Sequence, residues 1–327
     1  MKRREFILLL GSAAVAWSYS AHAQERMRRI GVLTNGSEAN ADARRRLDLF
    51  RKALMLLGWS EGANLVFDIR WGENNPERDR RYATELIALS PDVILSVGTL
   101  ATTALRDATS TLPVVFASVA DPVGSDLVDS LARPGGNITG FMTTEFGSSG
   151  KWLELLKEMA PKVTRVAVLR IGDNPAAIAQ FGALQAVAPS LSVELRPLDV
   201  RDAGQLERAV ETFARAENGG LIVAPSATAS ARRDLIIGLA ARYRLPAVYA
   251  LRAAAAAGGM ASYGSDEREL YKGAAGYVDR ILKGEKPGEL PVQAPNKLEL
   301  VINLRTAKAL DLDVPASLLA RADEVIE

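Results

Sequence analysis

The constraint that narrows the fold most is an internal repeat. Short apolar, β-branched runs alternate with longer helical patterns, and the whole order then occurs a second time. In the first half, Ile30–Leu33 reads as a buried strand, Ala43–Leu57 as a helix, Leu65–Trp71 as a strand and Asp79–Leu89 as a helix stopped by Pro91. Asp92–Val97 (strand), Ala101–Ala108 (helix) and Pro113–Ala117 (strand) complete it. In the second half the same succession runs through Arg165–Leu169, Pro175–Val187, Ser192–Leu198, Gln205–Ala216, Leu221–Ala224, Ala229–Tyr243 and Pro246–Tyr249. The halves correspond element by element. DVILSVGTLAT (Asp92–Thr102) matches GLIVAPSAT (Gly220–Thr228), and Pro113–Phe116 matches Pro246–Tyr249. A β-α-β-α order of this kind predicts a parallel sheet covered by helices on both faces. Two copies predict an α/β chain of two similar parallel-sheet lobes.

Glycine-rich stretches mark where such a chain would pass between lobes. Gly135–Phe141 follows the first lobe and Gly258–Gly264 the second. Glycines beside a short strand suit a segment that changes direction. An amphipathic helix over Glu267–Leu282 is expected to pack back on the first lobe, Leu298–Asn303 to form a third crossing strand, and Thr306–Leu312 a terminal helix. The lobes are then 24–140 with 265–293, and 141–264 with 294–327.

The N-terminus sets the compartment and removes chemistry. Lys2, Arg3 and Arg4 precede the apolar run Phe6–Trp17, and Ala21-His22-Ala23 is a small-x-small cleavage site before Gln24. That order is a secretory signal peptide over residues 1–23. The run is too short to span a bilayer, which takes roughly 20 apolar residues. Arg3-Arg4-Glu5-Phe6-Ile7 also fits a twin-arginine signal, so Sec and twin-arginine export both stay open. No cysteine follows the run to carry a lipid anchor, and the mature protein is expected free in the periplasm.

The chain has no cysteine, and its single histidine is His22, inside the signal. A mature chain with neither residue excludes Ser-His-Asp and Cys-His nucleophiles, and zinc sites built on those ligands. No paired-carboxylate or lysine motif falls at the strand ends, so a binder is expected rather than an enzyme, with no cofactor. The 40 Lys+Arg and 39 Asp+Glu lose Lys2, Arg3, Arg4 and Glu5 with the signal, leaving 37 against 38. A near-neutral chain has no electrostatic footprint for nucleic acid. A monomer is expected.

In parallel α/β sheets ligands lie beyond the carboxyl ends of the strands. With two lobes, this rule selects the loops at Thr34–Ser37, Gly98–Thr102, Ser118–Asp121, Gly172–Asn174, Pro225–Ala227 and Ala250–Arg252. Val97-Gly98-Thr99 is the most informative, because a strand ends, glycine lets a backbone come close, and a helix begins. Free N–H groups and a hydroxyl at a helix N-terminus suit a carboxylate, and the same groups would serve if Thr99 only capped its helix. Candidate ligand contacts are therefore Asn35, Gly98, Thr99, Ala101, Asp121, Asn174 and Ser226. Asp121 before Pro122 reads equally as an ammonium acceptor or a turn, and Asn174 before Pro175 has the same two readings. Tyr249, Tyr263 and Trp71 end strands and could flank an apolar ligand, with packing as the alternative.

Three long segments resemble one family. Pro91–Phe141 (PDVILSVGTLATTALRDATSTLPVVFASVADPVGSDLVDSLARPGGNITGF) is similar to the first-lobe signature of ABC-transporter substrate-binding proteins related to the tryptophan/tyrosine-binding group. Lys151–Pro175 resembles their interlobe helix and the strand after it, and Gly258–Pro315 their C-terminal portion. The resemblance implies the type I periplasmic-binding-protein architecture, two lobes joined by a three-crossing hinge. It implies capture of an amino acid or related small carboxylate by lobe closure, and delivery to an ABC permease and ATPase. By that resemblance Thr99 and its loop take the carboxylate and Asp121 the amino group, with Asn35, Asn174 and Ser226 lining the cleft. The alternative is a periplasmic sensor that presents the closed lobes to a membrane receptor.

Overall fold

The β-branched runs become strands in the computed structural model, which describes residues 26–143, 149–172, 175–295 and 297–327. The expected signal peptide and Asn174 lie outside the described residues. Strands β1 (Arg28–Thr34), β2 (Leu65–Trp71), β3 (Val93–Val97), β4 (Val114–Val119) and β5 (Ile138–Met142) form a parallel sheet in the order β2-β1-β3-β4-β5. The second sheet holds β6 (Arg165–Arg170), β7 (Glu194–Asp199), β8 (Gly219–Val223), β9 (Ala247–Tyr249) and β10 (Ala261–Ser265), in the order β7-β6-β8-β9-β10. The repeat is thus topological as well as textual, because the five corresponding strands follow one another in the same order in both sheets.

Burial explains which strand sits where. β3 and β8 are buried at every position, as central strands covered on both faces must be. β2 and β7 carry charges and half-exposed positions, and both are edges. Pro197 in β7 is tolerated there because an edge strand has one side without ladder bonds.

The helices are set by their first residues. Asn40 caps α1 (Ala41–Leu56), accepting the Ala43 N–H at 2.9 Å. Asn75 caps α2 (Pro76–Ala88), where proline occupies the first turn. α3 spans Thr99–Ala108. In the second lobe α4 (Gly150–Met159), α5 (Pro175–Val187) and α6 (Ala203–Ala214, capped by Asp202) follow. The expected helix over Ala229–Tyr243 is two: α7 (Ala227–Ala231) and α8 (Arg233–Arg242), broken where Arg232 leaves helical geometry at φ −103° and ψ 15°. α9 (Arg252–Ala256) precedes β10, and α10 (Glu267–Leu282) starts at the Asp266 cap.

α10 returns to the first lobe. Its Leu270, Tyr271, Ala274 and Val278 share one core with Ile30, Val32, Phe50 and Leu95. α4 belongs to the second, where Trp152, Leu153 and Leu156 pack with Val166, Ile222 and Val248. The chain therefore passes between lobes three times: between Met142 and Gly150, at Ser265–Asp266, and between Gln293 and Leu298. Gln293 is still held to the first sheet through Gly140 and Met142.

The glycine-flanked strands are not themselves the crossings. Ile138–Met142 closes the first sheet, where a Cβ on Gly140 would meet the Phe116 carbonyl oxygen at 2.1 Å. Leu298–Asn303, expected as a third crossing strand, is β11 and runs antiparallel to β10 inside the second lobe. β12 (Glu324–Ile326) pairs with it in parallel. α11 (Leu304–Ala309) and α12 (Ala316–Leu319) end the chain's helical structure among the described residues.

Candidate functional site

The carboxyl ends of the two sheets face each other across a cleft of about 490 Å³. The first lobe supplies Asn35 after β1, Asn74 and Pro76 before and at the start of α2, Val97 to Leu100 after β3, Ser118 and Ala120 around the end of β4, and Thr143 after β5. The second supplies Arg170 at the end of β6 and Ile171 just after it, Ala176, Ala177 and Gln180 from α5, and Arg201 after β7. It adds Ala224 to Thr228 with Ser230 after β8, and Leu251 after β9. Ser265, Glu267, Leu270 and Arg46 close the hinge side. Small-molecule pockets are lined mostly by apolar side chains, and Val97, Leu100, Ile171, Leu251 and Leu270 provide them here. Leu100 is 37% exposed, a large apolar side chain open to the cleft.

Gly98 makes the first wall possible. It sits at φ 91° and ψ 156°, a region open in practice to glycine alone. A Cβ there would stand 2.3 Å from Asn35 Nδ2. The helix that follows has no side-chain cap, so the first N–H groups of α3 point at the cleft with the positive end of its dipole. Ser226 on the opposite wall is a cap, accepting the Ala229 N–H at 2.9 Å.

The charges are arranged unevenly. Arg46 Nε donates to Glu267 at 2.5 Å, and Arg45 donates to the other oxygen of the same carboxylate. Burial alone would raise the Glu267 carboxyl, but Arg46 and Arg45 hold it below its usual range. Arg201 pairs with Asp199, which also accepts the Gly172 N–H at 3.0 Å. Burial acts upward on Asp199 and the Arg201 hydrogen bonds win, lowering it. At the rim the lobes touch directly. Asn74 Nδ2 donates to Thr228 Oγ1 at 3.3 Å, and Arg233 Nη1 to Asp42 Oδ2 at 2.5 Å.

The structure brings Asn35, Gly98, Thr99 and Ser226 together on the cleft walls. The other candidates among the described residues lie elsewhere. Ala101 is fully buried among Leu33, Ala83 and Phe116, two residues past Thr99 and so on the opposite face of α3. Asp121 accepts the Gly124 N–H at 2.9 Å, the turn reading of its position, and Ala120 takes the wall place instead. Tyr249 is 2% exposed and faces the core around Ala254 and Leu239. Tyr263 packs on the core of α4 while its carbonyl accepts Trp152 Nε1 at 2.6 Å. Trp71 lies behind the wall, packed with the Ile30 and Phe50 core. Asn174 lies outside the described residues. Sequence reasoning missed Arg46, Arg170, Gln180, Arg201 and Glu267, which reach the cleft from helices, an edge-strand loop or the last residue of a strand.

Among the described residues no helix is long and apolar enough to cross a membrane. The family model of the ABC transporter substrate binding protein matches residues 40–326. A tyrosine-binding protein of Clostridioides difficile (strain R20291) is 26% identical over 263 residues, covering 80% of this chain and 75% of that protein. A conserved domain protein from Vibrio cholerae has a crystal structure with TM-score 0.83 and 28% identity, covering 92% of this chain and all of that one. An ABC domain from Streptococcus pneumonia in complex with L-Trp gives TM-score 0.84 at 24% identity, with 91% and 99% of the two chains covered. With two repeated lobes, a three-pass hinge and an interlobe cleft at the strand ends, the chain belongs to the family of ABC transporter substrate-binding proteins.

Proposed function

We propose that this chain is the exported solute receptor of an ABC importer, and that it captures an amino acid or related small carboxylate by closing its lobes. The observation that carries this reading is the uncapped N-terminus of α3, backed by Gly98 and facing a cleft lined from both lobes. A carboxylate placed there meets free N–H groups, the Thr99 hydroxyl and the helix dipole without needing a dedicated cation. The names of the tyrosine-binding relative and of the L-Trp complex support an amino acid as the cargo class.

Closure follows from where the contacts lie. A solute touched by both lobes binds the closed form better than the open one, and only that difference can shift the equilibrium. The Asn74–Thr228 and Asp42–Arg233 pairs at the rim form only when the lobes approach, so they add to the same bias. The receptor works in the periplasm as a monomer and takes part in no chemistry of its own. The test is calorimetric titration of the mature protein with the common amino acids and small carboxylates, with small-angle scattering before and after. Binding accompanied by a smaller radius of gyration is expected. No heat from any of them would sink the proposal, and binding with no compaction would sink the closure part alone.

A further inference from the structure

The second lobe presents the cleft with polar groups that the folded chain leaves unused. Gln180, on α5, lines the cleft yet is only 3% exposed, and its Nε2 has no hydrogen-bond partner. Ser230, on α7, has its Oγ buried and unpartnered on the same wall. Arg170, the last residue of β6, donates through Nη1 to the Gly172 carbonyl at 2.9 Å and lies 5.2 Å over the Phe181 ring. Its Nε is buried without a partner. Arg46 is matched by Glu267 and Arg201 by Asp199, whereas no carboxylate stands within ion-pair distance of Arg170 among the described residues.

Buried donors of this kind are nearly always satisfied in native proteins, and an orphan calls for a reason. Here three orphans share one wall, and one belongs to a guanidinium. The first wall already offers the α3 N-terminus. The two walls are therefore both donor faces, and Glu267, the single carboxylate among the described lining residues, is occupied by two arginines. An apolar end group would leave the second wall's donors as unpaired as they are now, and a neutral carbonyl would accept from them without matching the Arg170 charge.

We infer that the solute carries a second anionic group, which Arg170, Gln180 and Ser230 receive, so that the cargo class is a short dicarboxylate or an amino acid with an acidic side chain. This rests on the cleft being the solute site, and it narrows that reading. A carboxylate on Arg170 Nε and Gln180 Nε2 gains charge-assisted hydrogen bonds while removing the desolvation cost of both donors.

The experiment titrates the mature protein with glutamate, aspartate, glutamine, succinate, tyrosine and tryptophan. The expected result is binding of an acidic member, with its amide analogue weaker by roughly 10- to 100-fold. Arg170→Gln should collapse that ratio. Gln180→Leu and Ser230→Ala remove no hydrogen bond the fold uses, so they should keep the thermal midpoint while weakening the acidic solute. If tyrosine or tryptophan binds and every acidic solute fails, the receptor reading stands and this inference is overturned. If the acid-to-amide ratio survives Arg170→Gln in a folded variant, the inference is overturned as well. Silence from all six solutes overturns both.

Discussion

Replacing Gly98 by alanine tests the cleft geometry at its tightest point. Two costs follow from the structure. An L-residue held near φ 91° and ψ 156° occupies a region that costs about 1–3 kcal/mol. The new Cβ would also stand 2.3 Å from Asn35 Nδ2 and 2.8 Å from its Cγ, so the Asn35 side chain must swing off the wall. Working against these, alanine restricts the unfolded chain and returns about 0.4–1 kcal/mol. The net expectation is a loss of roughly 1–2 kcal/mol, read as a lower urea midpoint with unchanged slope. Solute affinity should fall further than stability, because the displaced Asn35 and the α3 N–H groups share the site. Gly136→Ala is the control, since a Cβ there meets nothing within 4 Å. If Gly98→Ala is as stable as Gly136→Ala and binds solute like the parent, the argument for a glycine-only backbone at the cleft is wrong.

Asp79 gives a pH-dependent prediction. It is fully buried against Gly72 with both carboxylate oxygens unpartnered, and burial pushes its carboxyl from 3.8 to about 6 against the pull of Arg78. The unfolded chain then releases this proton first, so stability should fall between pH 4 and 6 and level off above that. Asp79→Asn should remove that slope and raise stability at pH 8 by about 2–3 kcal/mol, with little change at pH 4, in denaturation at the two pH values. Tyr249→Phe removes a buried hydroxyl that has no partner, so unfolding should show equal or slightly higher stability, and titration an unchanged solute affinity. Asp42→Ala breaks the rim pair with Arg233, whose side chains are 13% and 26% exposed. The solute-free protein should expand in small-angle scattering and lose about 0.5–1 kcal/mol of closed-state preference, and 1 M salt should mimic part of the effect in the parent.

The repeat and its parallel order were legible because local chemistry writes them. Buried central strands need continuous β-branched runs, helices need caps and apolar spacing, and Glu267–Leu282 and Leu298–Asn303 show both patterns over their full observed lengths. The strand-end rule likewise reached Asn35, Gly98, Thr99 and Ser226, because loop position depends only on where strands stop. Side-chain direction depends on more. Alternate residues of a strand face opposite sides, so Tyr249 and Tyr263 could not be assigned a face from position alone. β4 runs on to Val119 through an irregularity at Ser118, whose φ of 59° turns the chain so that Ser118 and Ala120 reach the wall and Asp121 does not.

What tertiary structure alone decided is whatever depends on two distant segments meeting. β11 has the same apolar pattern whether it crosses between lobes or pairs with β10, and only the return of the chain from α10 settles its direction. Arg46, Arg170 and Gln180 lie in ordinary helix and strand contexts and become cleft residues only when the lobes face each other. The sequence by itself determined two like lobes and the loops that edge them. Whether a polar side chain is solvated, paired or left waiting in the cleft was decided by packing, because that depends on what the other lobe excludes.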